Sequence, residues 1–351
     1  MNTLAKLRLH DLAPEQEDFR SAVLQGLSKP HKSLPCKFFY DAVGSALFDR
    51  ICEQPEYYPT RTEIDILTEA APQIAALAGR GGVLVEYGSG SSLKTRLLLD
   101  ALTPDVYMPI DISRQHMLDA CHTLAQDYPA LHLMAVCADY TRPFTLPRVM
   151  RGGQRRLAFF PGSSIGNFAP LEALQFLKNV AQQLNRGDGL LIGVDLKKDP
   201  AILNAAYNDA AGVTAAFNLN LLARCNRELE ADFDLSAFAH RASYNATAGR
   251  IEMHLDSLCA QTVVVAGRAF TFSEGESIHT ENSYKYHADE FRHLAAQAGF
   301  APLQTWTDAA GLFSVHVLQK PADCTIRNET QIRLDRRVKP FIFGWGTRIR
   351  T

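Results

Sequence analysis

Short apolar runs that alternate with helical patterns dominate residues 83–195 of this 351-residue chain. Strands that alternate with helices are typical of βαβ units and a parallel sheet. A sheet covered on both faces also explains why the runs are almost continuously apolar. The strands are predicted at 83–87, 106–110, 131–136, 157–160 and 189–194, and the helices among them at 93–102, 114–125 and 171–184.

After residue 204 the pattern changes to a helix followed by consecutive strands. The helix is predicted over 207–229, and short turns with glycine separate the strands after it, which is typical of antiparallel pairing. A last helix over 288–298 precedes two strands that we expect to rejoin the parallel sheet. The antiparallel strands are predicted at 241–245, 250–258, 261–265 and 269–272, and the last two strands at 302–307 and 312–319.

These patterns predict an α/β protein with a Rossmann-like core and an inserted α+β domain. The core is expected at 71–204 and 286–320, and the insertion at 205–285. The aromatic-rich segment 1–70 is expected to pack against the insertion. The tail, 321–351, has no clear periodicity, and its role stays open.

Charge and composition exclude several classes of partner. Lys and Arg number 36 against 38 Asp and Glu, so the net charge of −2 gives no basic field for nucleic acid or an anionic membrane. No run approaches the ~18 apolar residues of a membrane span, and no secretory signal is expected. Seven scattered cysteines without a CxxC pair favour a reducing compartment over disulfides or zinc. We expect a cytoplasmic monomer.

Polar residues follow three of the predicted strands, where ligands bind a sheet of this type. Gly88 opens a glycine and serine loop that lets backbone approach a ligand. Asp111 ends the second strand, placed to bind a ribose, and Asp139 with Tyr140 follows the third, placed to bind an adenine. Lys94 stands where a dinucleotide fingerprint has a small residue, which disfavours NAD. The three strand ends together favour S-adenosylmethionine, although either acid could instead cap the following helix.

Residues 162–166 formally match the G-x-S-x-G pattern of a hydrolase, with Ser164 at the nucleophile position. A nucleophile elbow leads directly into a helix, whereas residues 167–170 delay the helix here, which disfavours a hydrolase. The histidines and cysteines lack ligand spacing, so no metal site is expected.

Six longer motifs stand out between residues 37 and 283: KFFYDAVGS at 37–45, PEYYPTRTE at 55–63, FPGSSIGNF at 160–168, AYNDAAGVTAAFN at 206–218, RIEM at 250–253 and TENS at 280–283. In sequence and order they resemble the bacterial histidine Nα-methyltransferases of ergothioneine biosynthesis, and the resemblance covers about residues 20–320. Pro161 departs from the family pattern, where leucine is expected, and so does Asn282, where a small apolar residue is usual. Neither departure replaces a ligand contact.

The resemblance implies a Rossmann-like S-adenosylmethionine-dependent methyltransferase core with an inserted substrate-binding domain. Asn167 and Tyr207 are implied to hold the α-carboxylate of histidine, and Tyr57 to contact its imidazole. Glu281 and Ser283 are implied to hydrogen-bond the imidazole and select histidine. The full sets are Tyr57, Gly162, Asn167, Tyr207, Glu281 and Ser283 for the substrate, and Gly88, Lys94, Asp111, Asp139 and Tyr140 for the methyl donor.

Elementary chemistry agrees with these implied roles. An imidazole offers a donor at one nitrogen and an acceptor at the other, so Glu281 can accept while Ser283 or Tyr57 completes the pair. Neutral donors to the carboxylate suit a site that also holds a sulfonium cation. Tyr40 is the candidate catalytic residue near the amine, where its ring would stabilise a cationic product.

The expected function is therefore S-adenosylmethionine-dependent methylation of L-histidine, through its mono- and dimethyl forms, to hercynine (Nα,Nα,Nα-trimethyl-L-histidine). Two alternatives stay open. One is the same chemistry on another amino acid such as tryptophan, and the other is a module that binds S-adenosylmethionine without catalysis.

Overall fold

The computed structural model of the protein describes residues 7–12, 18–88, 93–149 and 155–321. The strands are β1 (Leu7–Asp11), β2 (Val83–Tyr87), β3 (Val106–Asp111), β4 (His132–Cys137), β5 (Arg156–Phe160), β6 (Gly189–Asp195), β7 (Phe238–Asn245), β8 (Arg250–Ser257), β9 (Gln261–Val265), β10 (Arg268–Phe272), β11 (Ser277–Tyr284), β12 (Ala301–Thr307) and β13 (Phe313–Gln319). The α-helices are α1 (Phe19–Leu27), α2 (Ala42–Cys52), α3 (Tyr58–Ala78), α4 (Leu93–Leu102), α5 (Arg114–Asp127), α6 (Pro170–Gln183), α7 (Pro200–Ala206), α8 (Val213–Leu229) and α9 (Ala288–Gln297).

The largest sheet has eight strands in the order β1-β4-β3-β2-β5-β6-β13-β12. Neighbouring strands from β1 to β6 pair in parallel, which confirms the predicted α/β, Rossmann-like fold. The last two strands rejoin this sheet as expected, but β13 pairs antiparallel with β6 and β12 antiparallel with β13. Connections run outward in opposite directions from β2 and β5, so the carboxyl ends of these two strands flank the crevice where such sheets bind ligands.

Helices cover both faces of this sheet. On one face α3, α4 and α5 bury apolar side chains such as Leu67, Leu98 and Met117. On the other face α6 and α9 bury Phe176 and Phe291. Successive residues of each central strand point alternately into these two clusters, which is why the strands are apolar throughout.

The insertion and the N-terminal segment share a separate apolar cluster. It joins α1, α2 and α8 to the three-stranded sheet β11-β8-β7 and the hairpin β9-β10. Helix α3 runs across the domain boundary expected at residue 70, and Ile66, Ala70 and Ile74 pack on the large sheet.

Several elements differ from the sequence prediction, and the helices α1, α2, α3 and α7 were not predicted. The helix predicted over 207–229 begins only at Val213, because the Asp209 carboxylate accepts hydrogen bonds from the Val213 and Thr214 N–H groups, both at 2.7 Å, and Gly212 has φ +70°. The edge strand β1 and the strand β11 were not predicted. In the described ranges, no helix has both the length and the apolar character needed to cross a membrane.

Candidate active site

A cavity of about 620 Å³, its open mouth included, lies outside the carboxyl ends of β5 and β6. Its size is in the range usual for small-molecule sites. The N-terminal segment, the ends of the large sheet and the insertion each contribute to its wall. Every residue predicted for the substrate lines it, together with the candidate catalytic residue: Tyr40, Tyr57, Gly162, Asn167, Tyr207, Glu281 and Ser283.

Local structure explains why these residues converge. Tyr57 occupies the N-cap position of α3, and Tyr207 the C-cap position of α7. Asn167 ends a short 3₁₀ helix that follows β5. Glu281 and Ser283 are two residues apart on β11, so both point to the same face of that strand.

Glu281 is a buried carboxyl group, with 9% of its surface exposed. Within the described parts of the chain its side chain forms no hydrogen bond. Burial raises the pKa of Glu281 to about 7, and the nearby Lys285 partly opposes that rise. A buried carboxyl group without a protein partner at the wall of a cavity is suited to pair with a ligand.

A second polar cluster backs the cavity, and sequence reasoning did not assign it. The Lys285 ammonium contacts Asp195 Oδ2 at 2.7 Å, Ser283 Oγ at 2.8 Å and Tyr207 Oη at 3.0 Å. Tyr58 donates a hydrogen bond to Asp195 at 2.7 Å. Burial alone would raise the pKa of Asp195, but the neighbouring ammonium groups outweigh burial and lower it.

Two signals in the sequence pointed toward this cluster. Asp195 is the polar end of the fifth strand of the core, the position where ligand contacts are expected. Lys285 lies two residues after Ser283, and the period of two along an extended chain places both side chains on one side.

Aromatic rings form another part of the wall. The Tyr40 ring meets Phe48 and Phe217 edge-on, with centroids 5.7 Å apart in both pairs. Tyr57 meets Phe48 and Tyr207 with centroids 6.3 Å apart. The faces of such rings attract a quaternary ammonium.

Four of the five residues predicted for the methyl donor lie at the ends of three adjacent strands, and the fifth, Lys94, lies in helix α4. Gly88 follows β2 with φ +78°, and a Cβ atom there would lie 3.6 Å from Tyr140 Oη, so the backbone and this ring form a narrow cradle. Asp111 ends β3 and accepts a hydrogen bond from the Ser113 N–H group at 2.8 Å. Residues 89–92 of the predicted loop lie outside the described residues.

Asp139 lies two residues past β4, where the predicted adenine site would be. Its carboxylate accepts hydrogen bonds from the Thr141 N–H group at 2.9 Å and the Thr141 hydroxyl at 2.6 Å. Among the described residues, neither Asp111 nor Asp139 provides a side-chain cap for an α-helix.

One buried carboxylate joins the two halves of the site. Glu63 of α3 is fully buried, accepts the Gly162 N–H at 2.9 Å and pairs with the Lys94 ammonium at 2.5 Å. Gly162 lines the cavity, whereas Lys94 is the second residue of helix α4, which follows the predicted donor loop in the chain. Glu63 therefore connects the substrate wall to the donor side, a role that its position in the PEYYPTRTE motif did not reveal.

The hydrolase interpretation has no support in this geometry. The Ser164 hydroxyl donates to the Pro161 carbonyl at 2.9 Å, and the Ser163 hydroxyl accepts from the Asp195 N–H at 2.9 Å. Neither contacts a histidine in the described structure. Those same residues also contain no cluster of His, Cys, Asp and Glu suited to hold a metal ion.

Comparison with known proteins yields one family and several close relatives. Residues 19–320 match the model of a family described as histidine-specific, S-adenosylmethionine-dependent methyltransferases. A histidine N-alpha-methyltransferase of Mycolicibacterium smegmatis is 46% identical over 305 residues, which cover 85% of this chain and 94% of that protein. The protein of the same name from Mycobacterium tuberculosis is 44% identical, over 86% of this chain and 94% of that protein.

A more distant relative is the ergothioneine biosynthesis protein 1 of Neurospora crassa, which is 31% identical over 82% of this chain and 33% of its own length. The family match extends over most of the chain, from α1 through the end of β13. This protein belongs to the histidine-specific, S-adenosylmethionine-dependent methyltransferases.

Proposed function

We propose that the protein transfers methyl groups from S-adenosylmethionine to the α-amine of L-histidine and produces hercynine, a step of ergothioneine biosynthesis. The observation that carries this proposal is the convergence of all six predicted substrate residues on one cavity beside the end of β5. The mycobacterial relatives support histidine as the substrate, and the Neurospora crassa relative supports the pathway.

S-adenosylmethionine, when bound, supplies an electrophilic methyl carbon on a sulfonium. We propose that Gly88, Asp111, Asp139 and Tyr140 hold its adenosine at the ends of β2, β3 and β4, with Lys94 beside them. The amine must then approach from the cavity, which opens next to Gly162. Holding the two reactants in line supplies much of the rate of such a displacement, up to roughly 7–11 kcal/mol.

The cavity residues hold the amino acid at two points, its carboxylate and its ring. Asn167 and Tyr207 donate hydrogen bonds to the α-carboxylate. Glu281, Ser283 and Tyr57 bind the imidazole, so the ring is fixed at the end opposite the amine. A site built to hydrogen-bond a ligand's polar atoms strongly rejects ligands that lack them.

Tyr40 is proposed to act at the amine. An α-ammonium must lose a proton before each methyl transfer, because only the neutral amine has a lone pair. The Tyr40 hydroxyl is proposed to hydrogen-bond the amine, and the rings of Tyr40, Phe48 and Phe217 to stabilise the cation that trimethylation creates. The support is that all three residues line the cavity and that the Tyr40 ring contacts the other two.

Incubation with methyl-labelled S-adenosylmethionine and either histidine or tryptophan tests the proposal, with methyl groups counted by mass spectrometry. Histidine should gain three methyl groups, and tryptophan should gain none at equal concentration. Transfer to tryptophan alone, or donor binding without transfer to either amino acid, would contradict the proposal. Heat-denatured protein serves as the control for uncatalysed methylation.

We also propose that the protein works as a monomer in the cytoplasm, with no nucleic acid or membrane partner. One chain supplies every residue predicted to contact the substrate, which supports a site within a single copy. The six described cysteines are free thiols, which suits a reducing compartment. Sedimentation at the mass of one chain, with and without ligands, is the expected result.

A further inference from the structure

We infer that Lys285 is a positioning residue, which turns the hydroxyl groups of Tyr207 and Ser283 into hydrogen-bond donors toward the bound amino acid. The inference depends on the proposed function for the identity of that amino acid. It concerns a residue that contacts the two hydroxyl groups and, through them, acts on the substrate.

The contacts of Lys285 use up its hydrogen-bonding capacity. An ammonium has three protons and no acceptor, and the Lys285 ammonium has three acceptors, Asp195 Oδ2, Ser283 Oγ and Tyr207 Oη, at 2.7–3.0 Å. Its side chain is 1% exposed. Lys285 therefore lines the cavity without a proton left for a ligand.

Asp195 holds this ammonium in place. Its Oδ2 oxygen faces Lys285, and its Oδ1 oxygen faces the ammonium of Lys198 at 2.5 Å. The Tyr58 hydroxyl donates to the same carboxylate, so the buried charge is fully partnered. A buried ammonium with three fixed acceptors has one orientation. Because it donates to both hydroxyl oxygens, each hydroxyl group must point its own proton elsewhere.

Contact with Lys285 leaves the two hydroxyl groups with different partners for their protons. Ser283 Oγ accepts from Lys285 and also from the Tyr207 hydroxyl at 2.8 Å, so its own proton is the only group it has left for a ligand. Tyr207 Oη accepts from Lys285, so its one proton points away from the ammonium and can be shared between Ser283 Oγ and a carboxylate oxygen of the substrate. Both hydroxyl groups thus face acceptors on the substrate.

A donor at Ser283 and an acceptor at Glu281 together select one form of the substrate ring. A donor at Ser283 requires a ring nitrogen with a lone pair, and the ionised carboxylate of Glu281 requires a ring N–H. The neutral imidazole has one of each, whereas the imidazolium ion has two N–H groups and no acceptor. The site is therefore built to bind the neutral ring in a single tautomer.

Lys285→Met tests the inference, and Lys198→Met is its matched control. Both lysines are buried and pair with Asp195, but in the described structure Lys198 contacts neither Tyr207 nor Ser283 and does not line the cavity. For Lys285→Met we expect the KM for histidine to rise about tenfold, the loss of a ligand hydrogen bond, while the KM for S-adenosylmethionine stays within about twofold. For Lys198→Met we expect both KM values to stay within about twofold.

A specificity ratio separates positioning from loss of stability. The ratio of kcat/KM for histidine to that for thienylalanine, whose ring has no nitrogen, should fall about tenfold in Lys285→Met, since Ser283 is no longer held as a donor. It should be unchanged in Lys198→Met, even if both variants melt at lower temperature. Equal effects of the two substitutions on KM and on this ratio would overturn the inference.

A further test uses the wild-type protein, so its result does not depend on whether a variant folds. Ring-¹⁵N-labelled histidine bound together with demethylated donor should show one protonated and one unprotonated nitrogen by NMR at pH 7.5. Two protonated nitrogens would overturn the inference. Failure of the wild-type protein to methylate histidine would instead refute the proposed function, so the two failures are distinguishable.

Discussion

At the residue scale, the candidate site depends on a buried carboxyl group that accepts no hydrogen bond from any described residue. Glu281 is buried beside the cavity, and its pKa is raised to about 7 by burial. In the unfolded chain the same group would titrate near 4.5. The folded protein therefore binds more protons than the unfolded chain between these two pH values, and stability falls as the pH rises through that window.

Replacement of this carboxyl group should make the protein more stable and weaken its binding of the substrate. At pH 8 we expect Glu281→Gln to unfold with a free energy about 2–3 kcal/mol higher than the wild type, because no buried charge is formed. The advantage should shrink as the pH falls from 7 towards 4.5 and disappear at still lower pH, where Glu281 is neutral in both states. Urea unfolding at high and low pH measures this difference in free energy. Glu86 is also buried with a pKa raised to about 7, but it is present in both proteins, so its effect drops out of the difference.

The same variant should lose pH dependence in substrate binding. The KM of the wild type for histidine should rise as the pH falls from 8 to 6, since Glu281 becomes protonated and loses the charge that strengthens its hydrogen bond from the ring N–H. Glu281→Gln should have a high KM throughout this range. A wild-type KM that is flat from pH 6 to 8 would contradict the assignment of Glu281 to the imidazole.

Tyr40 offers a second test at this scale. Tyr40→Phe keeps the ring but removes the hydroxyl, so we expect kcat to fall about a hundredfold, the low end of acid–base contributions, with mono- and dimethylhistidine accumulating. Tyr40→Leu should in addition weaken inhibition by the trimethylated product, because the ring face is lost. Full activity of Tyr40→Phe at every pH, with normal trimethylation, would remove Tyr40 from the chemistry.

At the element scale, the sequence predicts an element well where burial and apolar pattern coincide. The central strands β2 to β6 were predicted to within one or two residues because both of their faces are covered. Strand β11 was missed because three of its five buried residues, Thr280, Glu281 and Ser283, are polar, which hides the usual alternation. The family motifs located the cavity residues, but no local pattern joins Asp195 to Lys285, which are 90 positions apart in the chain.

Strand β6 contains a glycine that the site requires. A Cβ atom at Gly193 would lie 1.9 Å from Glu63 Oε1, so Gly193→Ala must displace the carboxylate that binds Gly162 and Lys94. We expect a loss of about 1–3 kcal/mol in unfolding free energy, as for other overpacked sites, and a higher KM for both substrates. Thermal unfolding and steady-state kinetics measure the two effects.

Gly189→Ala on the same strand is the control for this substitution. Its Cβ atom would lie 3.1 Å from a methyl group of Leu157, which can move aside, and it faces neither Glu63 nor the cavity. We expect a smaller loss of stability and unchanged KM values. Equal kinetic effects at Gly189 and Gly193 would show that the strand tolerates no side chain at either glycine, and that displacement of Glu63 is not the cause.

At the scale of the whole molecule, the cavity belongs to no single part of the chain. The large sheet contributes Gly162 and Asp195, the insertion Tyr207 and Glu281, and the N-terminal segment Tyr57. The insertion and the N-terminal segment share one apolar cluster, so they form one wall opposite the sheet. Glu63 crosses between the two sides, because it lies on α3 and binds groups next to both predicted ligands.

This connection predicts that the two ligands bind cooperatively. Each ligand alone should raise the melting temperature by mass action, and both together should raise it by more than the sum. Demethylated donor is the appropriate partner for histidine here, because it allows binding without turnover. Calorimetric titration of histidine, with and without that donor, should give a coupling free energy of about 1–3 kcal/mol.

Glu63→Gln identifies the route of this coupling. The amide can still accept a hydrogen bond from the Gly162 N–H, but it carries no charge for Lys94, so the link between the two sides is broken at one end. We expect each ligand to bind with an affinity within a few-fold of the wild type, and the coupling free energy to fall below about half of its original value. Coupling that survives in Glu63→Gln would instead have to arise from direct contact between the two ligands, since the amine and the sulfonium methyl meet in the same cavity.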